Sequence, residues 1–270
     1  MGHVDTGATA VISDDTRRLV ARLAAADWVV AFTGAGVSAE SGVPTFRGTD
    51  GIWKKFKPEE LASMDAFMRN PSLVWEWYAH RKRVIAGIQP NPGHYALARM
   101  EQVFPQFALI TQNIDNLHRR AGSRSVYELH GNIERNYCVS CGKPYGNEEL
   151  LRQSEAPNCP VCGGWIRPDV VWFGELLPED QWNASVRAAE SADVFLSIGT
   201  SNVVYPAASL PLLAKRRGAF LAEINAEETP LTDTADVFLQ GPSGVILPDL
   251  VASVVAAREL AERQGTPTHP

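Results

Sequence analysis

The run Thr33-Gly34-Ala35-Gly36-Val37-Ser38-Ala39-Glu40-Ser41-Gly42 follows directly on the apolar segment Trp28-Val29-Val30-Ala31-Phe32. A short apolar run that ends in closely spaced glycines reads as a buried strand turning into a helix. Small residues at such a turn let backbone amides approach a pyrophosphate at the helix N-terminus. The match to the dinucleotide fingerprint is incomplete, because Ala39 stands where a third glycine belongs. Dehydrogenases also close the next strand with an acidic residue roughly 20 residues on. Here Gly51-Ile52-Trp53 occupies that distance. The stretch therefore reads as a phosphate cradle, and hydride transfer is disfavoured.

Working outward, residues 107–112, 169–173, 193–198, 220–224 and 236–239 join Trp28–Thr33 as strands of one parallel sheet. They are rich in Val, Ile, Leu and Phe without clean alternation, as expected where both faces of a sheet are covered. Helical patterns fall between them, for example 14–26 behind Ser13 as N-cap. The alternation predicts an α/β fold with a Rossmann-type, doubly wound parallel sheet over 1–48, 94–135 and 167–262. Two stretches do not fit the sheet. Residues 49–93 are helical and aromatic-rich, with Asn70-Pro71 as an N-cap and first-turn pair. Residues 136–166 are rich in Gly, Pro and Cys. Together they predict a smaller inserted lobe, made of a helical module and a zinc ribbon.

All four cysteines lie in that last stretch. Cys138, Cys141, Cys159 and Cys162 form two C-x-x-C pairs separated by 17 residues, within the spacing of a zinc ribbon. Disulfides would need an oxidising compartment that nothing else in the chain indicates. A reduced, cytoplasmic protein with one structural zinc is the better account. A formal charge of -6 gives no electrostatic reason to expect nucleic acid, though it suits a basic protein substrate. No apolar run approaches the roughly 20 residues needed to span a bilayer, so no membrane partner is expected. No signal peptide is visible. Met1-Gly2-His3-Val4-Asp5-Thr6 meets a loose myristoylation pattern but lacks a second anchoring signal, and reads as a disordered tail. Residues 263–270 read the same way.

Polar residues collect where the strands end. Gln112, Asn113 and Asp115 follow one strand, at the carboxyl edge where open α/β sheets bind ligands. An Asx-rich helix start, with Asn113 or Asp115 as N-cap, explains them equally well. Phe46 and Arg47, between Gly42 and Gly48, fit a mobile lid over a charged ligand. His130, beside Gly131 at a strand end, is the best candidate for a general base, since its reference pKa of about 6.5 suits work near neutrality. His80, His94 and His118 read as satisfied surface groups. Gly199, Thr200 and Ser201 end one strand and Asn225 another, where ribose and adenine could be held.

Taken together, GAGVSAESGVPTFRG, TQNIDNLHRRAG, ELHGN, the paired C-x-x-C, FGE, GTSNVVYPA and EIN resemble the sirtuin family in order and spacing, over roughly residues 28–245. The resemblance implies that NAD is the co-substrate, with Gly34, Ala35 and Gly36 at its pyrophosphate and Phe46 and Arg47 in the cofactor loop. It places Gln112, Asn113 and Asp115 around the ribose and nicotinamide, with Gly199, Thr200, Ser201, Asn225 and Ser243 at the adenosine half. Glu40, Thr45, Trp53, Ile114, Ala226 and Glu227 are implied as further cofactor neighbours. Phe173, Gly174 and Glu175 would border an acyl-lysine peptide added as an extra strand. The implied reaction consumes NAD: the acyl-lysine carbonyl oxygen attacks the nicotinamide ribose, nicotinamide leaves, and His130 deprotonates a ribose hydroxyl. The 2′-oxygen so freed attacks the alkylimidate formed in the first step, and water completes the release of lysine and O-acyl-ADP-ribose. A zinc held by four thiolates has no open position and so would be structural.

One helix bears on the substrate. In Trp75-Glu76-Trp77-Tyr78-Ala79-His80-Arg81, the i,i+3 spacing puts Tyr78 and Arg81 on one face, able to grip one carboxylate together. In sirtuins this Tyr-x-x-Arg pair marks members that accept succinyl-, malonyl- or glutaryl-lysine, and Thr45, where many deacetylases have Asp, points the same way. Bacterial members with the pair often also remove acetyl groups. Three alternatives stay open: a plain deacetylase, a protein mono-ADP-ribosyltransferase, and a non-catalytic NAD-sensing module.

Overall fold

The computed structural model describes residues 13–44, 58–153 and 155–264. Residues 1–12 and 265–270 lie outside them, as do Thr45, Phe46, Arg47 and Trp53. The chain starts with α1 (Asp14–Ala25), β1 (Trp28–Thr33) and α2 (Ala35–Ala39), followed by α3 (Pro58–Leu61), α4 (Met64–Arg69), α5 (Pro71–Ala86) and α6 (Pro92–Val103). Next come β2 (Gln106–Thr111), α7 (Leu117–Arg120), β3 (Val126–Glu128), β4 (Gly131–Cys138), β5 (Pro144–Tyr145), α8 (Asn147–Leu150) and β6 (Ile166–Val170). It closes with α9 (Glu179–Ser191), β7 (Val194–Ile198), α10 (Leu210–Arg216), β8 (Phe220–Asn225), β9 (Val237–Gln240) and α11 (Ser243–Arg263). The last helix runs one residue into the expected C-terminal tail.

The main sheet has the order β3-β2-β1-β7-β8-β9, with every neighbouring pair parallel. Its strands are mostly apolar because both faces are covered. Leu19, Leu23, Leu97, Met100, Leu247 and Val254 pack from α1, α6 and α11 onto one face. Ala188, Ala189, Leu210 and Ala214 pack from α9 and α10 onto the other. Ser13 caps α1 by accepting the Thr16 amide at 3.1 Å. The order reverses at β1, whose neighbours β2 and β7 lead off in opposite directions. That switch opens a crevice at the carboxyl ends of the strands.

The second sheet is antiparallel, in the order β5-β4-β6. This corrects one sequence expectation, because 169–173 is not a strand of the parallel sheet. Its first residues belong to β6, where Asp169 and Val170 pair with Asn132 and Gly131. The apolar run was misleading because its cover comes from elsewhere: Val170 and Trp172 pack on Phe67, Val74, Tyr78 and Ile133 of the small lobe. At the crossing point Gly131 has φ 76°, and a Cβ there would lie 2.2 Å from the Asp169 carbonyl oxygen, so only glycine fits. Against this sheet lies α5, opened by Asn70, whose side chain accepts the Leu73 amide at 3.1 Å, and by Pro71 at the first turn. Its Trp75 and Ala79 reach into a second cluster around Cys138, Leu150 and Ile166.

Candidate active site

A cavity of about 540 Å³ opens at the switch point and runs between the two sheets. Gly34, Ala35 and Gly36 form its wall after β1, and Gly199, Thr200 and Ser201 after β7. The two loops nearly touch: Gly36 donates its amide to the Gly199 carbonyl at 2.7 Å. Gly199 has φ 58°, and a Cβ there would lie 2.5 Å from the Val37 nitrogen. Ala35 contributes the first amide of α2, among the donors a helix start leaves without an intrahelical acceptor. Gln112 spans the cavity floor, donating to Thr200 Oγ1 at 2.8 Å. Asn225 donates to the Thr200 carbonyl at 3.2 Å, and Ala226 and Glu227 continue the wall. Glu223, buried two residues earlier in β8, accepts from Asn202, Thr229 and Thr232, which pins this loop.

Behind the glycine loop the polar groups form an ordered chain. The Asn91 amide donates to His94 Nδ1, so Nε2 carries the ring proton and donates to Ser38 Oγ at 3.3 Å. Asn113 also donates to Ser38 Oγ, at 3.2 Å, and to the Gly34 carbonyl at 2.9 Å. With its oxygen so occupied, Ser38 has its own proton to give to Asp115. Asp115 does not line the cavity; it is buried and accepts the Leu117 amide at 2.9 Å. Burial pushes its pKa up, against the pull of Leu117, Ser38, Arg81 and Arg120. The N-cap of α7 is Asn116 and neither Asn113 nor Asp115; Asp115 lies one residue earlier and accepts the amide that opens α7, while Asn113 holds the glycine loop.

His94 and His118 depart from expectation, since both are buried rather than surface groups. Their rings sit 4.8 Å apart, and His118 Nε2 meets Thr33 Oγ1 at 2.9 Å. Burial lowers the pKa of His94 to about 4 and that of His118 well below 6.5. Both are neutral struts under the crevice. Single residues on short, polar-looking segments gave no sign of that burial.

His130 occupies the opposite side, where β3 hands over to β4, and lines the cavity. Its Nδ1 lies 3.0 Å from the Gln112 carbonyl oxygen, which can only accept. The Nδ1 proton is therefore fixed there and Nε2 keeps its lone pair. Burial lowers the pKa of His130, and the Gln112 carbonyl partly offsets this, so the ring is neutral at pH 7.

The third wall comes from the small lobe. Tyr78 and Arg81 of α5 line the cavity together with Ala62, Trp172, Phe173, Gly174 and Glu175. Arg81 stacks over the Trp77 ring at 4.8 Å and is 8 % exposed. Burial lowers its pKa, and Tyr78 and Asp115 oppose that. The Tyr78 hydroxyl accepts from Trp172 Nε1 at 2.8 Å, and burial raises its pKa to about 12. Glu175 is engaged within the protein: it forms a two-point ion pair with buried Arg167 and accepts the Trp172 amide at 2.8 Å. Phe173 stands nearly half exposed at the mouth.

Like Asp115, two further expected cofactor neighbours do not line this cavity. Glu40 and Ser243 meet each other at 3.2 Å, and Glu40 accepts the Gly244 amide at 2.8 Å at the start of α11. Conversely, Val204, Tyr205 and Pro206, and Glu228, Thr229 and Pro230, line the cavity without having been singled out. Their loop positions carried no periodic signal; only the proximity of two strand ends reveals them.

Remote from the cavity, Cys138, Cys141, Cys159 and Cys162 bring their sulfurs within 4.8 Å of one another. The Cys138–Cys162 and Cys141–Cys159 separations are 3.4 and 3.7 Å. A tetrahedral zinc with Zn–S bonds of about 2.3 Å needs sulfurs about 3.8 Å apart, so the quartet fits that ion. Tyr145 donates to Cys159 at 3.0 Å, the main cause drawing that thiol's pKa down to about 6. All four positions of such a site are filled by protein, which makes it structural.

Comparison with known proteins accords with this geometry. Residues 34–206 match the model of the Sir2 family. The chain is 53% identical over 243 residues to the NAD-dependent protein deacylase 2 of Pyrobaculum aerophilum, covering 90% of this chain and 96% of that protein. A crystal structure of a Sir2 homolog–NAD complex superposes with a TM-score of 0.85 at 48% identity, over 90% of this chain and 94% of that one. The structure of Sir2Af2 bound to a myristoylated histone peptide superposes with a TM-score of 0.76 at 38% identity, over 92% and 99%. With the crevice, the neutral histidine and the four-cysteine knuckle in the same chain, these matches establish that it belongs to the Sir2 family, the sirtuins.

Proposed function

We propose that this chain is an NAD-dependent protein-lysine deacylase that removes succinyl and malonyl groups, and acetyl groups as well. The observation that carries the reading is one continuous cavity with three kinds of wall. It joins the glycine loop, the lone-pair nitrogen of His130, and the Tyr78–Arg81 pair. NAD bound at the crevice supplies an anomeric carbon whose nicotinamide can leave. Gly34, Ala35 and Gly36 would hold its pyrophosphate, Thr200, Ser201 and Asn225 its adenosine half, and Gln112, Asn113 and Ile114 its nicotinamide ribose. His130 Nε2 takes the proton from a ribose hydroxyl, while the Gln112 carbonyl stabilises the imidazolium that results.

The acyl end is argued from desolvation. A carboxylate entering an apolar channel loses water, which is unfavourable unless a fixed cation receives it. Arg81 provides that cation from a nearly buried position, and Tyr78 adds a hydroxyl from the same helical face. Asp115 is held by protein donors, and its charge, after that of Tyr78, opposes the lowering of the guanidinium pKa by burial. Phe173 and Gly174 would flank the peptide that carries the lysine.

The test is a panel of succinyl-, malonyl-, glutaryl- and acetyl-lysine peptides with NAD, read by mass spectrometry. The expected products are nicotinamide, free lysine peptide and O-acyl-ADP-ribose. ADP-ribose on the protein in place of O-acyl-ADP-ribose would make the chain a transferase, and turnover of acetyl-lysine alone would remove the acidic-acyl assignment.

A further inference from the structure

We propose that Trp172 is a specificity-determining positioning residue: it fills the acceptor side of the Tyr78 hydroxyl and so makes that phenol a fixed hydrogen-bond donor toward the acyl terminus. The inference rests on the acidic-acyl reading above and deepens it.

A phenol has one proton to give and lone pairs that accept. Trp172 Nε1, a donor only, lies 2.8 Å from the Tyr78 oxygen. Among the described residues no acceptor takes Tyr78's own proton, and both side chains border the cavity. The proton is thus left to point at whatever occupies that space. Burial holds the phenol protonated at every working pH, so its donor character does not switch off. A tyrosine without such a partner could rotate to accept from a ligand instead. Pinned by an indole N–H, it favours an acceptor, and a carboxylate is the strongest acceptor an acyl chain can bring.

The indole is itself held on three sides. Arg167 lies with its guanidinium carbon 3.3 Å from the ring centroid, and Glu175 accepts the Trp172 amide while pairing with that same Arg167. Phe67 packs at 5.3 Å between ring centroids. An indole fixed under a buried cation cannot easily turn its N–H away. Glu175 and Arg167 therefore act on the acyl end at second hand, through Trp172 and then Tyr78.

The experiment is a double-mutant cycle. Wild type, Trp172→Phe, Tyr78→Phe and the double variant are each assayed for kcat/KM with succinyl- and acetyl-lysine peptides on the same preparation. The ratio of the two substrates cancels any loss of folded protein. Trp172→Phe should lower the succinyl-to-acetyl ratio about 5- to 20-fold. Added to Tyr78→Phe it should lower the ratio no further, because the hydroxyl it orients is gone. If Trp172→Phe does not fold, 3-benzothienylalanine placed at position 172 keeps the bicyclic ring and deletes only the N–H. An unchanged ratio, or an equal fall with and without the Tyr78 hydroxyl, overturns the role of Trp172. A wild-type enzyme that ignores succinyl- and malonyl-lysine overturns the underlying reading, and this inference with it.

Discussion

The two walls of the cavity are built on opposite plans. On the large-sheet side, the contacts end on backbone carbonyls: Gly36 to Gly199, Asn113 to Gly34, His130 to Gln112. On the small-lobe side, long side chains meet across an inserted helix and a loop: Tyr78 to Trp172, Arg81 over Trp77, Arg167 to Glu175. The first plan suits a ligand that never changes. The second can be altered one side chain at a time without moving a strand. Chemistry should thus be sensitive to every change on the sheet side, while selectivity should be sensitive to changes on the lobe side alone.

The strongest test removes the lobe's foundation. Zinc–thiolate binding contributes directly to the folding of so small a module, so Cys141→Ala should unfold the small lobe and abolish turnover of every acyl peptide. Loss of zinc by metal analysis should accompany loss of activity. Well-folded, active protein without zinc would contradict this.

On the sheet side, His130→Ala should reduce turnover by roughly 10²- to 10⁴-fold, the usual share of a general base. Succinyl and acetyl substrates should suffer alike, with NAD affinity retained in a calorimetric titration. Because burial lowers the His130 pKa, the acid limb of the wild-type profile should fall below pH 6.5, and activity should be lost as pH drops through it.

Arg81→Met should separate the walls. Removing one partner of a buried charged pair costs about 2–5 kcal/mol. At about 1.4 kcal/mol per tenfold, succinyl kcat/KM should fall roughly 30-fold to several thousand-fold. Acetyl-lysine, without a carboxylate, should lose far less. Equal losses would make Arg81 structural and erase the distinction between the walls.

The smallest effect concerns stability. His94 and His118 are held neutral in the folded state, with pKa values below the 6.5 of the unfolded chain. Between those values the unfolded state binds more protons, so stability is intact above pH 6.5 and declines as pH falls toward 4. For His94 alone this amounts to about 3 kcal/mol. Urea unfolding across that range should show the slope, and His94→Gln should flatten it.

Much of this was legible in the chain. Trp28–Thr33 followed by closely spaced glycines located both the central strand and the crevice, because a buried strand and a tight turn have local signatures. Less legible was β3, three residues long, which is a strand only through pairing with β2. The 169–173 run carried the right hydrophobicity and the wrong sheet, since apolar composition says that a segment is covered and not by what. His94 and His118 read as surface groups for the same reason: whether a histidine is buried depends on packing between α6, α7 and β1 that no window of sequence contains.

By itself, then, the sequence determined the strand-and-glycine nucleotide cradle, the four-thiolate knuckle, the histidine beside Gly131, and the Tyr78–Arg81 spacing on one helical face. Each is set by residue types at short fixed spacings, which for the knuckle means two C-x-x-C pairs brought together by the loop between them. The tertiary structure decided which nitrogen of His130 is left basic, which hydroxyl faces Asp115, and that Trp172, almost a hundred residues along the chain, donates its indole N–H to the Tyr78 hydroxyl. Those are questions of where a proton points, and a proton is directed by its nearest acceptor in space, whatever its distance along the chain.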